Sequence, residues 1–298
     1  MKKVNVLMSS YNGEKYIYEQ IESILQQNNV KVDLLVRDDG SKDNTIKILN
    51  ELQNKRILRW YEGKNLGPAH SFLTLLRDSN EADYYAFADQ DDYWEKDKLS
   101  TAITFLETAG EQPALYFSRT QMTDAVLTPT NIVEINPLMS FGESLVYEFI
   151  PGCTMVLNHA LRNIINLYIP QYLPMHDVWI YCVAKAINAK IYFDKTPHIL
   201  YRQHSANTIG QGNSTLHEWK RRWKRFAKSE HSRYRRAQEL EKGYGKMLGK
   251  NESEILHIFL SAKHSFYKRL KVCIDKRFDC ANHTTRLLFN IALILNSY

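Results

Sequence analysis

The chain has 298 residues, 44% hydrophobic, 24% charged and 12% aromatic, with 12 Gly and 8 Pro. Those proportions exclude a disordered, collagen-like or disulfide-scaffold chain and predict a globular protein, one large domain or a domain with an appendage. The net charge of +6 is split: residues 1–216 carry 20 Lys/Arg against 25 Asp/Glu, a net of −5, and residues 217–298 carry 19 against 8, a net of +11.

Val4–Met8 is a β-rich run that ends in the turn-forming cluster Ser9-Ser10-Tyr11-Asn12-Gly13. Ile17, Ile21, Ile24 and Leu25 then recur at helical spacing. A second strand, Val32–Val36, runs into Arg37-Asp38-Asp39-Gly40-Ser41, and Ile46, Ile48, Leu49 and Leu52 mark a second helix. Ile57–Tyr61 reads as a third strand, followed by Asn65-Leu66-Gly67-Pro68 and a helix through Phe72, Leu75 and Leu76. The fourth strand, Tyr84–Ala88, ends at Asp89-Gln90-Asp91-Asp92. This β-α-β-α-β-α-β order predicts a parallel, doubly wound sheet. Its polar strand ends gather at the carboxyl edge, where open α/β sheets bind ligands.

Beyond residue 95 a helix over 98–108 leads to a strand at Ala114–Ser118 and a loop through 124–144. The segment 150–156 turns into a strand, and helices are expected at 158–167 and 176–188, with strands near 190–193 and 198–202. A Gly/Ser/Asn loop at 205–215 marks the domain boundary, dividing an α/β domain (1–216) from a basic helical module (217–298). In that module Trp219, Trp223, Phe226 and Tyr234 line one side of a basic helix, and further helices are expected near 252–272 and 282–296. Cys153, Cys182, Cys273 and Cys280 lack CxxC or zinc spacing and read as reduced thiols. No apolar run approaches the ~18 residues that span a bilayer. Met1–Met8 is too short and interrupted for a signal peptide, so a cytoplasmic protein is expected.

The three carboxylates of Asp89-Gln90-Asp91-Asp92 repel one another and need a cation or extensive hydrogen bonding. Hard oxygen ligands suit Mg²⁺ or Mn²⁺ bridged to a phosphate; a solvated acidic loop or a helix N-cap is the other reading. Asp38-Asp39-Gly40-Ser41 is either a turn before an N-cap at Asp43 or a carboxylate that accepts from a base N–H. Neither a G-x-G-x-x-G fingerprint nor a P-loop lysine motif is present, which argues against a dinucleotide dehydrogenase or a P-loop kinase.

Four clusters at successive strand ends are more specific together than singly: Ser10-Tyr11-Asn12-Gly13, Asp38-Asp39-Gly40-Ser41-Lys42-Asp43, Asn65-Leu66-Gly67 and Ala88-Asp89-Gln90-Asp91-Asp92. In that order they resemble family 2 glycosyltransferases with the GT-A fold, a Rossmann-like, mostly parallel sheet flanked by helices. Pro151-Gly152-Cys153-Thr154-Met155, Met175-His176-Asp177-Val178-Trp179 and Tyr201-Arg202-Gln203-His204 strengthen the likeness, most of all to the bacterial rhamnosyltransferase-like branch. The resemblance covers roughly 1–210, about two-thirds of the chain.

The resemblance implies that the Ser10, Tyr11, Asn12 loop, Asp39 and Asn65 hold the nucleoside. Tyr11 would lie against the base, and Asp39 would accept from an N3–H that uracil and thymine share. On the donor-sugar side it implies Asp89 near the ribose, with Gln90 and Asp92 in the same site. Asp91 would bind the divalent ion, Mn²⁺ or Mg²⁺, and His204 is either a further metal ligand or a hydrogen-bonding core histidine. Gly152 and Cys153 form a tight turn beside donor and acceptor. Asp177 is the implied general base, in a His-Asp pattern where the family usually has Glu-Asp, and His176 orients it or packs. The implied reaction is inverting, metal-dependent transfer of a sugar, with dTDP-rhamnose the favoured donor, onto a lipid-linked or growing cell-surface polysaccharide. A UDP-hexose enzyme of the same fold is the alternative, followed by a non-catalytic binding module. The stretch His217–Arg236 suits an anionic membrane surface, which places the protein on the inner face of the cell membrane; no nucleic-acid partner is expected. The apolar run Leu287–Leu295 leaves a homo-oligomer open.

Overall fold

In strand β1 (Lys2–Ser10) Val4, Val6 and Met8 point to one side, Leu7 to the other, and all four are fully buried. A strand apolar on both faces needs a layer of helices on each. The computed structural model, which describes residues 1–132, 139–147, 150–204 and 231–298, supplies both. Helices α1 (Ile17–Leu25), α2 (Thr45–Asn54) and α4 (Lys98–Glu107) cover the Val4/Val6/Met8 face. Helices α3 (Gly67–Asp78), α5 (Phe141–Ser144), α6 (His159–Ile165) and α7 (His176–Ala186) cover the Leu7 face.

Between them lies a seven-stranded sheet that adds β2 (Val30–Asp38), β3 (Arg59–Glu62), β4 (Tyr84–Ala88), β6 (Ala114–Ser118), β9 (Val156–Asn158) and β10 (Lys190–Asp194), in the order β10-β6-β9-β4-β1-β2-β3. All neighbours are parallel except β9, which runs against both β4 and β6. A second sheet, ordered β5-β11-β7-β8, is built from β5 (Tyr93–Trp94), β7 (Gln121–Thr123), β8 (Pro129–Ile132) and β11 (Ile199–Arg202). The segment 124–144, expected to be loop, contributes β8 and the short α5.

The C-terminal helices share a core with the sheet. Helix α8 (Ser232–Tyr244) buries Ala237, Leu240 and Tyr244 against α7, and Tyr244 donates its hydroxyl to the Ile165 carbonyl at 2.9 Å. Helices α9 (Lys250–Ser261) and α11 (His283–Ile294) join the same cluster through Phe259 and Phe289, whose rings stack at 5.9 Å. The single helix expected over 252–272 is broken: after α9 a 3₁₀ turn and an extended Ser265 intervene, and α10 (Phe266–Ile274) starts with the Ser265 hydroxyl as its cap.

The basic helix expected over 217–236 lies outside the described residues up to 230. Its remainder turns inward. Arg236 is fully buried and donates to the carbonyls of Ser144 and Leu145, Arg233 donates to Val146 O, and Arg235 lies over the Tyr172 ring. Arg233 and Arg236 thus cap the end of α5, whereas Arg235 stays exposed.

A shared core predicts one cooperative unfolding event. Leu240→Ala is expected to cost about 2–5 kcal/mol and to lower a single calorimetric transition; two separated transitions, only one of them shifted, would contradict a common core.

Candidate active site

Sheet register brings the strand-end clusters together. Ser10 pairs with Asp38 and Met8 with Ala88, so the turns after β1, β2 and β4 sit side by side. Because β9 is antiparallel, the turn that precedes it arrives at this same edge, with the Phe87 N–H donating to Met155 O at 3.3 Å. That places Gly152 and Cys153 beside Asp89. The small sheet pairs Trp94 with Ile199 and Tyr93 with Leu200, which carries Arg202 and His204 back onto Asp91 and Asp92.

On the β1–β2 side, Asp38 is fully buried and ties the loop together: it accepts from the hydroxyls of Ser10 (2.8 Å) and Ser41 (2.6 Å) and from the N–H groups of Gly40 and Ser41. Ser10 therefore stands behind the loop with its hydroxyl committed. Asp39 is also buried. Arg37 donates to its Oδ1, while Oδ2 accepts from the N–H of Leu66 (3.0 Å) and of Gly67 (2.8 Å) at the start of α3. Asn12, at φ 51°, donates its N–H to Ser41 Oγ and accepts from the Lys42 N–H, both at 2.8 Å. Tyr11 and Gln90 clamp the two loops: the Tyr11 N–H donates to Gln90 Oε1 (2.9 Å), and Gln90 Nε2 donates to Tyr11 O (3.0 Å). The Tyr11 ring stays exposed, and Asn65, also exposed, accepts from the Gly67 N–H.

The acidic cluster lies beside this clamp. One ligand atom each from Asp89, Asp92 and Cys153 falls within 4.8 Å of the others. Burial, reinforced by the charges of Asp91 and Asp177, pushes Asp89 up to about 7. Asp92 is raised well above its ordinary range by burial and by Asp91 and Asp89. Its Oδ1 accepts the Arg202 N–H at 3.2 Å; its buried Oδ2 has no N–H or O–H partner among the described residues, and the Cys153 thiol lies beside the carboxyl. Asp91 Oδ2 lies 2.9 Å from His204 Nε2, and the His204 ring packs on Tyr16. An orphaned carboxylate oxygen among like charges is costly without a cation. These hard oxygen donors fit Mg²⁺ or Mn²⁺. Cys153 is a protonated thiol, held far above its usual range by burial and by Asp92 and Asp89.

Across the Gly152 turn, α7 presents its first residues. Asp177 is buried, and its Oδ1 accepts the Val178 N–H at 2.6 Å. Burial pushes its carboxyl up to about 7. A Cβ on residue 152 would lie 2.8 Å from His176 Nε2 and 3.0 Å from the Asp177 Cβ, so only glycine admits this approach. The His176 ring stacks on Phe72 at 4.1 Å, and neither ring nitrogen has a hydrogen-bond partner among the described residues. Burial drops it to about 3, so the imidazole stays neutral.

Sequence reasoning assigned no role to Arg202, Arg37 or Lys98. Arg202 is buried; it donates to Asp91 O (2.9 Å) and Ala125 O (2.7 Å), pairs with Glu19 of α1 and lies over Tyr16. The signal was a cation inside the Tyr201–His204 motif. Lys98 is fully buried over the Trp94 ring at 3.6 Å, a cation at the start of a helix on its apolar face. Arg37 interrupts the otherwise apolar end of β2.

Residues 5–156 match the family model described as Glycosyl transferase family 2. The dTDP-rhamnosyl transferase RfbG of Shigella flexneri is 31% identical over 226 residues, covering 72% of this chain and 77% of its own length. The UDP-Glc:alpha-D-GlcNAc-diphosphoundecaprenol beta-1,3-glucosyltransferase WfaP of Escherichia coli is 29% identical over 194 residues, 64% of this chain and 74% of its own. Among solved structures, residues 1–349 of S. aureus TarS in complex with UDP-GlcNAc superpose with a TM-score of 0.58 at 17% identity, covering 98% of this chain and 89% of that one, a likeness of fold.

Arg202 is the strut under the acidic cluster. Arg202→Lys keeps the charge but cannot span Asp91 O, Ala125 O and Glu19 together. Loss of such support typically weakens metal binding about 10–100-fold, and a Mn²⁺ titration of the variant is expected to show it. Wild-type affinity would remove Arg202 from the site.

Proposed function

The chain belongs to glycosyltransferase family 2, and from that premise we propose that it moves rhamnose from dTDP-rhamnose, with inversion, onto a lipid-linked or growing cell-surface polysaccharide. It is a glycosyltransferase, and its mostly parallel sheet with a helical C-terminal region is the GT-A fold. The observation that carries the mechanism is the division of carboxylates around the Gly152 turn, with Asp89, Asp91 and Asp92 on one side and the buried Asp177 on the other.

Asp177 acts as the base. Its carboxylate takes the proton of the acceptor hydroxyl as that oxygen attacks the anomeric carbon, and a carboxyl near 7 is well matched to this at neutral pH. Neutral His176 and Gly152 fix its position. No covalent intermediate is needed, and Cys153, a buried protonated thiol, is no nucleophile. Tyr11 and Asp39 receive the base: Oδ1 of Asp39, bonded to Arg37, keeps a lone pair for an N3–H. Asp89 and Asp91, backed by Asp92 and joined by His204, are the residues that would hold the divalent ion. When bound, that ion neutralises the charge developing on the departing nucleoside diphosphate.

The dTDP-rhamnose reading is supported by the His176-Asp177 and Tyr201–His204 motifs and by the relation to RfbG. A UDP-hexose is the second reading, favoured by the UDP-sugars named for WfaP and the TarS complex. The diphosphoundecaprenol in WfaP's name supports a lipid-linked acceptor.

Turnover across a panel of nucleotide sugars tests the donor: release of dTDP from dTDP-rhamnose above all others is expected, preference for a UDP-hexose selects the second reading, and no turnover of any leaves a binding module. Asp177→Asn should lower kcat roughly 10²–10⁴-fold while sparing donor affinity; an unchanged rate would exclude it as the base. The wild-type rate should climb with pH and level off above about 7. Stability moves the opposite way. The folded chain keeps on Asp177 a proton that the unfolded chain releases from 3.8 upward, so ionisation destabilises the fold as pH rises toward 7. Asp177→Asn is therefore expected to raise the melting temperature more at pH 8 than at pH 5.

A further inference from the structure

Surface helices of a globular protein turn their apolar stripe to the core. Helix α10 does the reverse. Of its nine residues only Val272 is buried, whereas Phe266, Leu270 and Ile274, spaced four apart along one stripe, stand exposed with Tyr267 beside them. Ile274 is 82% exposed and Tyr267 66%. Helix α11, packed against α10, exposes Leu287, Ile294 and Leu295 as well. A single exposed apolar side chain is ordinary, but a group on two packed helices marks an interaction surface.

Cations are interleaved with these rings and alkyl chains. Lys268, Arg269 and Lys271 lie on α10 and Lys276 just beyond it, while the sole acid between 265 and 276, Asp275, is paired with Arg277 at 2.7 Å. Lys271 Nζ sits 4.6 Å from the Tyr267 ring centre, and the Arg269 guanidinium 5.5 Å from that of Phe266.

We infer that α10, with the exposed residues of α11, is the surface by which this protein lies on an anionic lipid bilayer. Apolar side chains enter the boundary between headgroups and acyl chains, and the cations meet anionic headgroups. No described helix is long and apolar enough to cross a membrane, so the contact is one of lying on the surface. A second copy fits less well, because pairing this face with itself opposes like charges. Single-stranded nucleic acid fits less well too: bases could stack on Phe266 and Tyr267, but the aliphatic Leu270, Ile274, Leu287, Ile294 and Leu295 would stay in water. The surface is separate from the candidate active site and stands whichever sugar is the donor.

Co-sedimentation of the full-length protein with vesicles of phosphatidylglycerol and phosphatidylethanolamine, against phosphatidylcholine alone, tests this. Phe266→Ser with Ile274→Ser should reduce binding to the anionic vesicles at least tenfold without changing donor turnover in solution. Lys268→Gln with Lys271→Gln should abolish the preference for anionic lipid and its sensitivity to salt. Wild-type vesicle binding by both variants overturns the inference, as does failure of the wild-type protein to bind. A dimer in analytical ultracentrifugation that the Phe266→Ser, Ile274→Ser variant dissolves would reassign the face to self-association.

Discussion

Four carboxylates share one poorly hydrated edge of a sheet. Asp89, Asp91 and Asp92 follow a fully buried strand, Asp177 opens a buried helix, and the burial of Asp92 and Asp177 leaves their charges weakly screened. Two carboxyls are pushed up to about 7, that of Asp92 is raised well above its ordinary range, and its Oδ2 has no N–H or O–H partner among the described residues. In the proposed reaction a cation and a proton-donating hydroxyl would offset this repulsion. The instability of the site and its chemistry have the same source.

Keeping such a cluster in place takes a rigid frame from several directions. The parallel strands supply the row of turns, and the reversed β9 delivers Gly152 so closely that a methyl group would not fit. Arg202 reaches from the small sheet to hold the Asp91 backbone, and the pairing of Asp39 with Arg37 and the N-terminus of α3 does the same for the turn after β2. Tyr244 of α8 packs its ring on Trp179 of α7 at 6.0 Å, so the C-terminal helices steady the helix that carries Asp177. Helix α10, which carries none of this frame, leaves its apolar stripe outward.

The first half of the fold was legible because its signals are local. Tyr84–Ala88 and Ala114–Ser118 occur with the bounds read from their apolar runs, and the polar clusters after them do converge. What was not legible depends on distant partners. The direction of β9, the pairing of Tyr93–Trp94 with Ile199–Leu200 and the burial of Arg202 or Lys98 follow from packing with segments far along the chain. Composition also misled in the tail: Arg233 and Arg236 read as part of a presented basic face, yet both turn inward to the carbonyls at the end of α5. The exposed stripe of α10 escaped notice because periodicity reveals a stripe without revealing which way it points.

The central claim is that the acidic cluster is a cation site distinct from the base. Calorimetric titration of Mn²⁺ into the full-length protein tests it most directly, with Asp91→Asn and Asp177→Asn titrated alongside. One ion per chain is expected, lost in Asp91→Asn and retained in Asp177→Asn. Absence of saturable binding, or binding that survives Asp91→Asn unchanged, would contradict it.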